Sequence, residues 1–546
     1  MSTSVDSRPN GQAELLQPKP RKPANPQLLR AQHERDGSNG TASSNASSRV
    51  ATPVPDDAPP STHATSAARQ QVRAFQKHRI FPTVEYAARV SHFDPKSEHA
   101  DFRGFFVLFW IGLAIMVITT MLRNVKETGY PLTIRQWDLF TANIYEMGLS
   151  DFLMVASTAL SLPFHKAYAK SRGVLRWSKG GMVVQSIFQA TWLVFWVSWP
   201  FLRNWTWTAQ VFFTLHLLAM FMKMHSYAFY NGHLSEVRRR LKDLDKPGAS
   251  ARPLLKRYPS RTTQPPSPMR STIDGTDLSS PTKGLVESLR EDLALELTSP
   301  LGHVTYPANL TTYNYADYLC CPTLCYELEY PRTDGIQYME LFYKSLAVFG
   351  CIFLMTVATE AFVIPVLDES AIRLQKTKTL GEGSLILAET ISTLLFPFMV
   401  IFLLVFLVIF EYVLGAFAEI TCFADRRFYS DWWNSTDWLE FSREWNIPVH
   451  HFFRRHVYSA SRGAHLSRPV ATVITFLISA LAHELVMFCI TKKLRGYGFV
   501  AMMLQMPIVM VQRSKWVRGR TLLNNVLFWC SMILGLSMMC ALYVLV

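Results

Sequence analysis

The sequence predicts an all-α polytopic membrane protein of about nine transmembrane helices, and three observations carry that prediction. Hydrophobic residues make up 49% of the 546, although two long polar stretches dilute the average. Apolar runs of the ~20 residues that a spanning helix needs recur along the chain. The net charge of +14 is gathered into a few segments between those runs rather than spread along them. Lipid offers the backbone no hydrogen-bond partner, so such runs cross it as helices.

Residues 1–100 are rich in Ser, Pro, Ala, Gln and Asn and show no apolar periodicity. They cannot bury enough surface to offset chain entropy and read as a disordered cytosolic tail. No short apolar segment follows a basic start, so no secretory signal is expected, and the run from Phe105 would itself act as signal anchor. Residues 101–231 are expected to hold four membrane helices, at Phe105–Leu122, Ile134–Pro163, Met182–Leu202 and Trp207–Met222. The second is interrupted by Asp138, Glu146 and Asp151. Residues 232–307 read as a low-complexity cytosolic loop that begins with Arg238-Arg239-Arg240 and contains one surface helix at Lys283–Leu297. Residues 308–546 form a C-terminal membrane region with runs at Ser345–Leu367, Leu385–Ala418, Ala471–Ile490, Phe499–Val511 and Asn524–Val546. The fourth of these is short and contains Pro507.

The positive charge does not mark a nucleic-acid partner. With nine crossings and a cytosolic N-terminus, the tail, His165–Lys179, the Arg238 loop and Gln512–Arg520 share one face of the membrane, as the positive-inside tendency requires. Lys492, Lys493 and Arg495 fall on the other face and count against this topology. The eight cysteines show no paired metal spacing. His483-Glu484 lacks a second histidine four residues on, where Met487 stands, and the adjacent His450 and His451 point to different sides of a helix. No metal is expected. Neither a phosphate-binding loop nor a dinucleotide fingerprint stands out, and no organic cofactor is expected.

Two segments carry chemistry. His483 lies inside the apolar run Ala471–Ile490, where an ionisable group is costly unless it faces a pocket, a partner or water. It is either satisfied by a neighbouring helix or a reactive group. The second segment, Phe428–Tyr458, mixes four tryptophans with Asp431, Asn434, Arg443, Asn446 and His450. It suits an interfacial belt, or a lateral or re-entrant segment lining a cavity in which those polar groups find partners. Asn446 by itself reads first as a capping or helix-bridging amide.

The motif Phe428-Tyr429-Ser430-Asp431-Trp432-Trp433-Asn434 resembles the FYxDWWN signature of the membrane-bound O-acyltransferases, in the branch that esterifies sterols and diacylglycerol. The resemblance continues through Trp445–His450 and Ser479–Glu484, and upstream through His225-Ser226-Tyr227 and Pro322–Glu327. It covers about Phe105 to Val546. Met222–Gly232, Lys344–Met355, Phe423–Asn434 and Ser514–Trp529 are most similar to fungal acyl-CoA:sterol acyltransferases, whereas Cys325–Leu328 reads more like the diacylglycerol enzymes.

The resemblance implies a fold in which lateral or re-entrant helices enclose a reaction chamber. The implied activity is direct transfer of a long-chain acyl group from acyl-CoA, a co-substrate, to an ergosterol-like membrane sterol, giving steryl esters for storage. It assigns His483 and Asn446 to the catalytic centre, and Arg443, His450, Tyr458, Arg468 and Ser479 to acyl-CoA binding. It further implies the endoplasmic reticulum membrane and a homodimer or tetramer. Ser479 is one turn from His483 on the same helix face, and Glu484 lies roughly 100° around from it, which suits a structural role. Deleting Met1 to about His92 is expected to spare insertion and turnover. The alternatives are a diacylglycerol acyltransferase, or a transporter or sterol-sensing protein. Against a transporter stands the lack of matching repeat halves.

Overall fold

A computed structural model of the protein describes residues 84, 86–93, 103–131, 141–171, 173–245, 289–300, 302–515, 517 and 519–546. Among these the chain is helical, with only isolated bridges between extended residues, so the all-α expectation holds. The N-terminal part contains α1 (Arg103–Thr128), α2 (Ile144–Thr158), α3 (Ser161–Lys170), α4 (Met182–Leu202) and α5 (Trp207–Leu244). After it come α6 (Thr312–Cys320), α7 (Tyr338–Ala358), α8 (Ile364–Lys376), α9 (Leu380–Phe406) and α10 (Leu414–Ile420). The C-terminal part holds the short α11 (Trp438–Glu444), α12 (Ile447–Phe452) and α13 (Ser459–Gly463), then α14 (Arg468–Thr491), α15 (Tyr497–Gln512) and α16 (Thr521–Leu545). Wide π-type turns at Thr359–Val363, Leu407–Val413 and Phe453–Tyr458 join α7 to α8, α9 to α10 and α12 to α13.

Seven helical stretches are long and apolar enough to cross a membrane: Gly104–Thr128, Ile144–Lys170, Trp177–Leu202, Tyr338–Lys376, Leu380–Ile420, Arg468–Thr491 and Thr521–Leu545. The expected count of nine is not reached among the described residues. The crossing expected at Phe499–Val511 falls on α15, whose 16 residues rise only about 24 Å, short of a ~30 Å hydrocarbon core. The one expected at Trp207–Met222 falls on α5, a 38-residue helix whose second half is polar.

That second half corrects a boundary. The loop expected from residue 232 does not begin there, because α5 runs on to Leu244 with Tyr227, Tyr230, Leu234 and Val237 buried along one face. Their three- and four-residue spacing is that of a helix stripe. Gly232 lies under Trp177, and a Cβ there would stand 2.2 Å from the indole. Residues 289–296 are helical and 302–310 pack beneath α5, with Tyr306 and Leu310 in the same cluster. The remainder of the expected loop, 246–288 and 301, lies outside the described residues.

The expected tail needs a second correction. Residues 1–83, 85 and 94–100 lie outside the described residues, but 84 and 86–93 are ordered against the body of the protein. Tyr86 and Phe93 pack on the main hydrophobic cluster.

That cluster is aromatic. Tyr227, Tyr315, Tyr318, Tyr326 and Tyr330 meet Phe406, Phe410, Phe423, Tyr429, Trp432, Trp438 and Phe528. Packing of such rings edge to face orients them as well as excluding water. A second cluster, built on Trp192, Trp196, Trp205 and Phe213, joins α2, α4 and α5. Helix α14 then packs along α5 on one side and α15 on another, and also meets the Phe453–Tyr458 turn.

Candidate active site

His483 sits on the fifth turn of α14. Its Nδ1 lies 2.8 Å from the carbonyl oxygen of Ser479. A carbonyl only accepts, so Nδ1 carries the hydrogen, and in the neutral ring Nε2 holds the lone pair. The side chain is exposed within the chain, and the fold fixes its tautomer through this bond. Ser479 contributes through its backbone.

Glu484, the next residue, faces away. Its carboxylate accepts the Gly496 N–H at 2.7 Å, the Phe499 N–H at 3.1 Å and the Tyr543 hydroxyl at 2.8 Å. It therefore caps the N-terminus of α15, where unpaired N–H groups and the helix dipole favour an anion. It also ties α14 to α16. No room remains for more, since a Cβ on Gly498 would come 3.1 Å from Oε2.

Asn446 is the N-cap of α12: its Oδ1 accepts the Val449 N–H at 3.1 Å. Capping and donation are compatible here, because fixing Oδ1 also fixes the amide plane and leaves Nδ2 as a donor. Two backbone bonds flank it. Ser430 N–H donates to Glu444 O at 2.8 Å, and Ile447 N–H donates to Phe428 O at 2.9 Å. The corner that carries Asn446 is thus bonded on both sides to the FYSDWWN segment.

The seven-residue motif itself is a packing element. Phe428, Tyr429 and Trp432 are buried. Trp432 lies 4.9 Å from Trp445, 5.1 Å from Phe406 and 5.5 Å from Trp529, centroid to centroid. The Trp433 carbonyl accepts from Asn525 Nδ2 at 2.9 Å and from Trp529 Nε1 at 3.1 Å, both on α16. Tyr429 donates its hydroxyl to Glu411 at 2.9 Å. Asp431 accepts the Ser430 hydroxyl at 2.9 Å and, through its carbonyl, the Asn434 N–H at 2.9 Å. These residues wedge the loop between α9 and α16.

The remaining predicted residues are spread over adjoining elements. Arg443 lies in the last turn of α11 and is exposed, His450 lies on α12, Tyr458 closes the π-type turn, and the exposed Arg468 opens α14. Arg443 and His450 are near enough to interact: burial, then Arg454 and Arg443, push His450 down to about 4, so it is neutral near pH 7. Neither Arg443 nor Arg468 forms an ion pair among the described residues.

Sequence reasoning missed the groups that lock this region together. Arg455, on the turn between α12 and α13, is 1% exposed and donates to Glu327 Oε1 at 2.9 Å and to the Tyr326 carbonyl at 3.0 Å. His456 Nε2 lies 2.8 Å from Ser226 Oγ, which accepts the Tyr326 N–H at 2.9 Å. The only signals were the His225–Tyr227 and Pro322–Glu327 stretches, which show no role by themselves. Among the described residues no group of three metal-ligating side chains forms.

Comparison with known proteins places these residues in company. The model of the membrane-bound O-acyltransferase family matches residues 188–545. The chain is 37% identical to a probable sterol O-acyltransferase 2 of Schizosaccharomyces pombe, over 87% of this chain and 93% of that protein. It is 34% identical to sterol O-acyltransferase 2 of Candida albicans, over 81% of this chain and 75% of that protein. Similarity to diacylglycerol O-acyltransferase 1 of Dictyostelium discoideum is 33% over 45% of this chain and 38% of that protein.

Proposed function

The chain belongs to the membrane-bound O-acyltransferase family, and from that premise we infer that it transfers a long-chain fatty acyl group from acyl-CoA to the 3-hydroxyl of a membrane sterol, forming a steryl ester. It is an acyltransferase, and acyl-CoA serves as co-substrate rather than cofactor. The extent of the likeness to sterol enzymes favours a sterol acceptor over diacylglycerol.

One observation carries the chemistry. The histidine has its Nδ1 tied to a backbone carbonyl and the asparagine has its Oδ1 tied to a backbone N–H, so the imidazole Nε2 and the amide Nδ2 are each left in one defined role. His483 Nε2 takes the proton of the sterol hydroxyl as the oxygen attacks the thioester carbon. Asn446 Nδ2 donates to the carbonyl oxygen as it becomes an oxyanion. Collapse of that intermediate re-forms the carbonyl and breaks the C–S bond, and the leaving CoA sulfur recovers the proton from the imidazolium. A thioester is already activated, so no acyl-enzyme is needed.

Arg443 and Arg468, exposed and without carboxylate partners among the described residues, suit the phosphates of CoA. His450 and Tyr458 would line the same approach, with Ser479 beside the base. A homodimer or tetramer in the endoplasmic reticulum membrane, with the N-terminus cytosolic, fits the basic segments and completes the reading.

The test offers ergosterol, cholesterol and diacylglycerol in competition for labelled oleoyl-CoA, with purified protein and its His483→Ala variant. Steryl ester is the expected product, and the variant should lose about 10²–10⁴ in rate, the usual contribution of a general base. Triacylglycerol as the main product would overturn the acceptor. Near-normal turnover in folded His483→Ala would overturn the base.

A further inference from the structure

Residues 84 and 86–93 lie across three segments that are hundreds of residues away in sequence. Val84 N–H donates to Glu327 Oε1 at 3.1 Å, the same oxygen that Arg455 holds. The Tyr86 hydroxyl bonds to Thr323 Oγ1. At the centre, Arg89 pairs with Asp425 side chain to side chain, with Nε 2.9 Å from Oδ1. Its backbone also joins that segment as a parallel bridge: Arg89 N–H donates to Ala424 O at 3.1 Å and Arg426 N–H donates to Arg89 O at 2.9 Å. Further on, the Ser91 hydroxyl donates to Glu411 Oε2 at 2.5 Å, the oxygen that also accepts from Tyr429. Phe93 stacks on Phe106 of α1, centroids 4.8 Å apart. A cavity of about 20 Å³ lies beside Tyr86, Arg89 and Asp425, room for about one water.

Three carboxylates from three segments therefore take donors from one short stretch. Asp425 is 4% exposed and Glu327 5% exposed; without Arg89, Asp425 would be a poorly compensated buried charge, whereas Glu327 keeps Arg455 and would lose one N–H donor. Asp425 stands three residues before Phe428, whose carbonyl, with Ser430 N–H, grips the corner carrying Asn446. Glu327 holds Arg455 on the turn that packs against α14, the helix of His483.

We propose that residues 84 and 86–93 act as a positioning strap for the acyl transfer, which holds the Asp425–Asn434 segment and the Phe453–Tyr458 turn so that Asn446 and His483 keep their relation. No strap residue touches substrate. The inference rests on the proposed function for its main readout.

The experiment compares the full chain with chains starting at Phe81 and at Asp94, and adds Arg89→Asp alone and combined with Asp425→Arg in the full chain. The chain from Phe81 should keep kcat within about twofold of the full chain, because it loses only the segment before the strap. Contrary to the expectation that deletion to about His92 spares turnover, the chain from Asp94, like Arg89→Asp, should lose about tenfold to a hundredfold in kcat, the cost of a small misplacement at the reacting centre, with KM for oleoyl-CoA little changed. The swapped pair should recover much of the loss, a rescue that general destabilisation would not give. Equal turnover from the Phe81 and Asp94 chains would overturn the proposal. If the Asp94 chain does not fold, a swapped pair no better than Arg89→Asp overturns it. Absence of steryl-ester formation by the full chain would instead overturn the proposed function. Trypsin cleavage after Arg426 and Arg427, faster in Arg89→Asp and slowed again in the swapped pair, then decides for the strap, and cleavage unaffected by Arg89→Asp decides against it.

Discussion

His483 and Glu484 are neighbours in sequence with opposite fates. Helical geometry alone separates them by roughly 100°, and that much was legible: the two side chains could not share one face of α14. What Glu484 does was not legible, because its three donors come from residues 12 to 59 positions away. The tautomer of His483 was equally hidden, since it depends on a backbone carbonyl. Replacing Glu484 with Gln keeps the shape but substitutes an NH₂ for one acceptor oxygen, facing a donor that then goes unpaired. A buried donor left so costs about 1–3 kcal/mol. Glu484→Gln should therefore melt several degrees lower in detergent while keeping a wild-type KM for oleoyl-CoA. An unchanged melting temperature would show that the cap is dispensable.

The long apolar runs identified most membrane helices, since hydropathy over ~20 residues is a strong signal. The second half of α5 was hidden by its polarity, which suggested a loop. Its stripe of Tyr227, Tyr230, Leu234 and Val237 would have revealed it. Arg238–Arg240 follow immediately and read as a loop, although Val237 still packs inward. The helix approaches Trp177 closely enough that position 232 tolerates no side chain. Gly232→Ala would put Cβ 2.2 Å from the ring, forcing the indole to move at a cost of about 1–3 kcal/mol for overpacking. Gly335→Ala is the control, because nothing lies within 4 Å of its Cβ. Thermal melting of the two variants should separate them clearly. Equal stability would mean that α5 and the Trp177 turn shift apart at no cost.

At the scale of the whole molecule, the chain is built so that buried ionisable groups bridge segments far apart in sequence. Glu327 and Arg455, 128 residues apart, are one such pair, and no local pattern announces it. The adjacent His450 and His451 extend the same theme to acid. Burial, with Arg454 and Arg443 nearby, brings His450 down to about 4. Burial first, then His450, Arg454, Arg89 and Arg455, brings His451 down to about 3. An unfolded histidine titrates near 6.5, so between that pH and the folded values the unfolded chain binds more protons than the folded one. The stability tied to these two rings is complete above about pH 6.5 and is lost as pH falls toward 4. The protein in detergent should thus melt lower at pH 5 than at pH 7. His451→Gln, which cannot titrate, should narrow that difference whatever it does to stability at pH 7. If the variant shows the same acid shift as the unaltered chain, protonation at His451 is not what weakens the fold, and the carboxylates paired with Arg89 and Arg455 become the groups to test.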